Sequence, residues 1–258
     1  KASGTFILHK VEVLLDYLQA HWQGEFEVVI CVNGELGEVE KTHALLEAKF
    51  AHDQRVVLHQ HLAPLGKGAA LQSAFLKTQY SAIAFIDADL PFDLAFLSQA
   101  QEALGNGASL VVGNRRLASS RVDLPTKLLP SLFKRHVFGL LYNRAVRLMF
   151  GIKQSDTQCG IKLMTREFAT RLFCHLTCHG FSYDVEMFLL AQGHGDKVTS
   201  IPVTLMHDHD QSTLHLGGEL VRSVKSLLHL KHKQRRGEYE PRTPLTVIQN
   251  QRLQITSD

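Results

Sequence analysis

Long apolar runs are absent from this sequence. No stretch approaches the roughly 18 consecutive apolar residues that a membrane-spanning helix needs, and no secretory leader precedes the first patterned element. Cysteine is scarce. The 4 residues, Cys31, Cys159, Cys174 and Cys178, do not form a disulfide framework. Cys174 and Cys178 could face each other on one helix, but a metal site needs more ligands than that. A reducing, cytoplasmic setting is expected. Charge of one sign is lacking too: 28 Lys and Arg oppose 25 Asp and Glu, and the resulting +3 argues against a dedicated nucleic-acid binder. With 45% hydrophobic and 21% charged residues, disorder and fibrous structure are excluded. A chain of 258 residues is long for one compact domain and short for two, so one large α/β domain with appendages is expected. What the chain has in plenty is histidine, 15 residues, which makes its net charge sensitive to mild acid.

Short apolar runs alternate with helical patterns over the first two thirds. Phe26–Val32, Arg55–Leu58, Ala82–Asp87, Ser109–Gly113 and Ile201–Met206 read as buried strands. Phe6–Trp22, Leu36–Phe50, Lys67–Tyr80 and Asp93–Leu104 carry the spacing of amphipathic helices. This alternation predicts right-handed βαβ units and a mostly parallel sheet flanked by helices, with ligands at the carboxyl ends of the strands. No strand pattern precedes the first helix. Either a first strand lies outside this sequence or Gly4–Leu8 is its distorted remnant. Two stretches differ from the rest, Leu124–Ile152 and Gly217–Arg236, both basic and amphipathic. The expected organisation is an α/β domain over 1–216, a basic amphipathic helix over 217–236 and a peripheral tail over 237–258.

Four segments could carry chemistry. Asp87-Ala88-Asp89 closes an apolar strand, where alternation would put both carboxylates on one side, fit to share Mg²⁺ or Mn²⁺; a solvated turn is the plainer reading. Gly66-Lys67-Gly68 opens a helix, where glycine permits close backbone approach and the helix amino end favours an anion. An ordinary amino-terminal turn reads the same way. Asp156, within Ser155–Glu167, has no adjacent base and could equally be a cap. Asp184 and Glu186 open a further helix, where the dipole alone favours acidic residues. Late in the chain, His207 and His209 follow a strand in what reads as a polar loop.

Taken in order, GKGAA, the DAD after its strand, VGNRR at Val112–Arg116, DTQCGIKLMTRE, FSYDVE and IPVTLMHDHDQST resemble family 2 glycosyltransferases of the GT-A fold. The likeness is to the polyprenyl-phosphate branch, on the dolichyl-phosphate glucosyltransferase side rather than the mannose-synthase side, and covers about residues 26–233. It implies a Rossmann-like α/β sheet and an inverting transfer from a nucleoside-diphosphate sugar, a UDP-sugar before a GDP-sugar. The acceptor would be a polyprenyl phosphate or another membrane-proximal group. The resemblance also implies roles. Asp87 and Asp89 would hold the metal, with His209 as a third ligand. Lys67 and Arg115 would hold phosphates, and Gln158 would lie near the sugar or acceptor. Asp156 would be the catalytic residue, as base or acceptor-side carboxylate, with Asp184 the second candidate and Arg116 a surface partner.

The sequence also departs from that pattern. The first-strand turn that helps hold the nucleotide has no counterpart here. Cys31-Val32-Asn33-Gly34-Glu35 replaces the paired aspartates that follow the second strand, leaving Asn33 to offer a donor and an acceptor to a base. Two other readings therefore stand beside the enzyme: a degenerate domain that binds a nucleotide sugar or a partner without transfer, and a sugar-phosphate nucleotidyltransferase. The basic stretches leave peripheral contact with a membrane surface open.

Overall fold

The computed structural model describes residues 4–61, 66–123, 129–180, 182–206 and 216–241. The chain runs α1 (Gly4–His21), β1 (Val28–Asn33), α2 (Leu36–Phe50), β2 (Val56–His61), α3 (Lys67–Phe75), β3 (Ala82–Ile86), α4 (Ala95–Gly105) and β4 (Leu110–Asn114). It continues through β5 (Arg121–Asp123), α5 (Leu129–Phe150), β6 (Ile161–Thr165), α6 (Arg166–His175), α7 (Tyr183–His194), β7 (Val198–Pro202), β8 (Thr204–Met206) and α8 (Leu216–Arg235). The central sheet has the order β3-β6-β4-β7. Parallel pairing joins β4 to β7, β1 to β2 and β5 to β8, whereas β6 runs antiparallel between β3 and β4. Because β6 is reversed, its amino end lies beside the carboxyl end of β3, with Ile161 opposite Ile86. The segment that precedes β6 is thereby delivered to the rim where ligands bind.

The alternative of a strand remnant at Gly4–Leu8 is corrected by the structure: these residues open α1, whose Val11, Leu15 and Leu18 are buried. Among the described residues the sheet is divided. β1 pairs with β2, β3 pairs with β6, and no strand joins the two parts. Side-chain packing spans the break instead. Leu14, Tyr17, Trp22 and Val28 pack into one apolar cluster with Ala82 and Ile86, and Val11 and Leu15 join Leu46 and Phe50 in another over β1 and β2. The Tyr17 and Ser98 hydroxyls, 3.0 Å apart, tie α1 to α4.

α8, which covers most of the basic amphipathic stretch expected over 217–236, packs against the core. Leu227 and Leu230 of α8 are buried in the largest apolar cluster, with Tyr239 just beyond the helix. Lys233 reaches the buried Glu186 of α7 at 2.8 Å. Glu186 also accepts from the Thr177 and Cys178 amides at 2.8 Å each and from the Tyr239 hydroxyl at 3.0 Å. Burial would raise the Glu186 pKa. Lys233 and the two amides more than offset that and hold the carboxyl below its usual range.

Candidate functional site

The strand ends bring several of the sequence-selected residues to one rim. Asn33 ends β1, Asp87 and Asp89 follow β3, and Arg115 follows β4. Asp156 and Gln158 precede the reversed β6, while Lys67 opens α3 and Asp184 lies in the first turn of α7. His209 lies outside the described residues, as do His207 and much of the late polar loop.

The paired aspartates occupy a turn, not a strand. β3 stops at Ile86, and the Leu90 amide donates to the Asp87 carbonyl at 2.9 Å. Alternation along a strand is therefore not what relates the two carboxylates. Asp87 is half-buried and ion-paired with Lys67, and Asp89 is exposed. The Asp87 amide donates to the Gly160 carbonyl at 3.0 Å, and a Cβ on Gly160 would lie 1.8 Å from an Asp87 carboxylate oxygen. Glycine at 160 thus makes room for the carboxylate. Lys67 is half-buried, which disfavours its charge, yet the nearby Asp87, Asp184 and Asp89 carry its pKa above the ordinary lysine value. It remains a cation.

The glycines around Lys67 have a packing role. A Cβ on Gly66 would fall 2.1 Å from the His179 carbonyl oxygen, and the Gly68 amide donates to that oxygen at 2.8 Å. The start of α3 is therefore seated on the 178–180 backbone, with one of its leading amides already satisfied by a carbonyl. Lys67 contributes its side-chain charge to the rim.

The unpaired carboxylate expected at Asp156 is instead tied to Arg115, 41 positions earlier in the chain. Asp156 is 1% exposed. Its two oxygens accept from Arg115 Nε at 2.7 Å, Arg115 Nη2 at 2.9 Å, the Arg115 amide at 3.1 Å and the Gln158 amide at 3.2 Å. Burial alone would raise its pKa, but Arg115 and the two amides outweigh that and hold the carboxyl below the usual range. The same contacts raise Arg115. Asp184 is also committed: it accepts from Lys162 Nζ at 2.7 Å, both side chains being buried, and Lys162 donates in addition to the Cys159 carbonyl at 2.6 Å. Arg116 donates through its amide to Asn114 at 2.9 Å and through its guanidinium to the Gly139 carbonyl of α5 at 3.2 Å, and it is half-buried.

Gly160 and Lys162 went unremarked as site residues in the sequence. The signal for Lys162 was a lone charge inside the apolar run Ile161–Met164, a pattern that in a buried strand requires a partner.

Comparison with known proteins bears on the fold and the family. The glycosyltransferase AglD of Haloferax volcanii is 29% identical over 75% of this chain and 29% of its own. A dolichyl-phosphate beta-glucosyltransferase of Trichomonas vaginalis is 31% identical over 60% of this chain and 45% of its own, so the chain spans less than half of either relative. Among solved structures, glucosyl-3-phosphoglycerate synthase of Mycobacterium tuberculosis superposes with a TM-score of 0.54 at 20% identity, covering 86% of this chain and 75% of that one. The same enzyme in complex with Mn²⁺ and UDP-glucose gives 0.54 at 18% identity, over 89% and 74%. These likenesses identify the fold as GT-A. The model of glycosyl transferase family 2 matches residues 8–173, more than half of the chain and every rim residue named above except Asp184. On that match, the chain belongs to glycosyl transferase family 2.

Proposed function

We propose that this chain moves a sugar, with inversion at the anomeric carbon, from a nucleoside-diphosphate sugar to a polyprenyl phosphate at a membrane surface. The observation that carries the reading is the rim itself: Lys67, Arg115, Asp87 and Asp89 gathered at the carboxyl ends of β1–β4. Two cations and a pair of acidic oxygens suit a diphosphate and the ion that accompanies it. The names of the relatives above and the UDP-glucose complex of the structural neighbour support a UDP-sugar donor and a lipid-phosphate acceptor. Asn33, at the end of β1, could read the base through its amide. The family match favours transfer of a sugar over transfer of a nucleotidyl group.

The donor set at Asp87 and Asp89 fits a hard divalent cation, because it consists of carboxylate oxygens two residues apart in one turn. Bound there, Mg²⁺ or Mn²⁺ would neutralise charge on the departing diphosphate. Lys67 and Arg115 would orient the phosphates from the sides. Asp156 and Asp184 are each occupied by a cation, so neither offers an unengaged carboxylate for a covalent intermediate or for deprotonating an alcohol. That supports a single displacement and an acceptor already ionised, as a phosphate is.

Calorimetry with UDP and GDP, with and without Mn²⁺, tests the reading. UDP is expected to bind at least about 10-fold more tightly with Mn²⁺ and at least about 10-fold more tightly than GDP, each factor near 1.4 kcal/mol. Failure of both nucleotides to bind would remove the donor pocket. The divided sheet favours one second reading, a domain that binds without transferring; nucleotide binding with no turnover on any polyprenyl phosphate would select it.

No described helix is long and apolar enough to cross a membrane. An acceptor held in a lipid layer could nevertheless be met from outside. Leu141 and Leu148 of α5 are 63% and 76% exposed and Leu228 of α8 is 60% exposed, and exposed Arg144, Arg147, Lys225 and Arg235 lie on the same two helices. Apolar side chains with cations around them suit an anionic headgroup layer. The protein is expected to co-sediment with anionic liposomes at low salt, and the combined Leu141→Ser, Leu148→Ser and Leu228→Ser variant to lose at least about two thirds of the bound fraction. Equal recovery in the supernatant with and without liposomes would count against this surface.

A further inference from the structure

We propose that Cys31, His59 and His61 form a second metal site, for a thiolate- and imidazole-preferring ion of the Zn²⁺ class, separate from the carboxylates at the rim. β1 and β2 pair in register, with Cys31 opposite His59, and His61 lies two residues further along β2. Period-two alternation puts all three on one face. The opposite face carries Ile30, Val32, Val56 and Leu58, which pack into the core beneath α1 and α2. A half-buried strand face with a thiol and two imidazoles side by side is unusual, since apolar residues normally fill such positions.

The geometry suits an ion. One ligand atom from each residue lies within 4.8 Å of the other two, and all three residues are half-buried. The two histidine Nε2 atoms are 3.2 Å apart, with the rings edge to face. Two imidazole nitrogens bound tetrahedrally at 2.0–2.1 Å to one Zn²⁺ stand about 3.3 Å from each other. Ser73 Oγ of α3 also lies against His61 Nε2. One sulfur and two nitrogens leave a fourth position for water or for that hydroxyl. Such a set selects Zn²⁺ over Mg²⁺ or Mn²⁺, which prefer oxygen ligands. The two sites therefore differ in chemistry as well as in place.

An ion here would be a clamp on the part of the sheet that stands apart. A two-stranded sheet is marginal by itself. Three ligands on two strands would hold β1 and β2 together, and the Ser73 hydroxyl in the fourth position would add α3. His61 is also the last residue of β2 before the connection to Gly66 and Lys67, and Cys31 is two residues from Asn33. The clamp would thereby fix the two elements that carry Asn33 and Lys67 to the rim.

Titration of the reduced, metal-free protein with Co²⁺, a spectroscopic substitute for Zn²⁺, tests the assignment. One equivalent is expected to produce thiolate-to-cobalt charge-transfer absorption and the intense visible bands of a four-coordinate ion, both abolished by Zn²⁺. Cys31→Ser should eliminate the charge-transfer band, and His59→Gln or His61→Gln should weaken binding at least about 10-fold. Asp89→Ala should leave the spectrum unchanged, which separates this site from the rim. Zn²⁺ at a hundredfold excess over its Kd should raise the thermal midpoint of the wild-type chain by about 5 °C, an increase absent from Cys31→Ser. Wild-type protein with no charge-transfer band at one equivalent, or a band that persists in Cys31→Ser, would overturn the proposal; the first result needs no variant to fold.

Discussion

Asp89→Ala should leave the fold in place and reduce sugar transfer by about 10²–10³-fold, the usual cost of removing one group that stabilises developing charge. Asp89 is exposed, in the turn after β3, so its substitution should cost no more than about 0.5 kcal/mol, or a shift of about 1–2 °C in the thermal midpoint. The neighbouring aspartate is a poorer test. Asp87 pairs with Lys67 and sits against Gly160, so removing it would release a half-buried cation and open a gap together with any loss of metal. The two aspartates can be told apart by binding. UDP affinity without metal should be nearly unchanged in Asp89→Ala, whereas the enhancement by Mn²⁺ should disappear. Turnover that survives both this substitution and a chelator would mean that the diphosphate is neutralised by Lys67 and Arg115 alone.

The sequence disclosed the rim better than it disclosed the roles of the residues on it. Strand ends were readable because apolar runs stop abruptly at Asn33 and Asp87, and the helix over Leu36–Phe50 has the bounds its periodicity implied. The helix expected to reach Tyr80 ends at Phe75. There the guanidinium of Arg166 takes the carbonyls of Thr78 and Tyr80, a contact across almost ninety residues that no local pattern announces. β6 was not among the expected strands; Lys162 lies inside its apolar run, and only the buried Asp184 and the Cys159 carbonyl make that lysine acceptable. Its reversed direction was equally hidden, since strand periodicity is the same either way. The glycines at 66 and 68 read either as a phosphate cradle or as an ordinary helix-opening turn, and in the structure they seat the 178–180 backbone; local sequence says that something approaches closely but not what. The Cys31–His59–His61 cluster was detectable in principle, from His-Gln-His alternation beside a cysteine-bearing strand, once the two strands were assumed to pair in register.

Asp156 poses the sharpest question about mechanism, and a double-mutant cycle answers it. If its work is to hold Arg115 at the phosphates, Asp156→Ala and Arg115→Ala should each lower kcat about 10²-fold, and the double variant should be little worse than the poorer single one. A carboxylate acting as general base predicts otherwise. Asp156→Ala would then abolish the acidic limb of the pH–rate profile, Arg115→Ala would retain it, and the losses would approach multiplication. The structure favours the first outcome, because four hydrogen bonds already occupy the Asp156 oxygens and its depressed pKa makes it a poor proton acceptor near neutrality. Stability should separate the two substitutions as well. Arg115→Ala strands a carboxylate that is almost wholly buried and should cost about 3 kcal/mol, the low end of the range for breaking such a pair, since the Arg115 side chain is 36% exposed and partly screened. Asp156→Ala frees an arginine that can turn toward water and should cost less. A larger loss of stability for Asp156→Ala than for Arg115→Ala would show that the carboxylate supports the DTQCG segment, through the Gln158 amide, more than it supports the arginine.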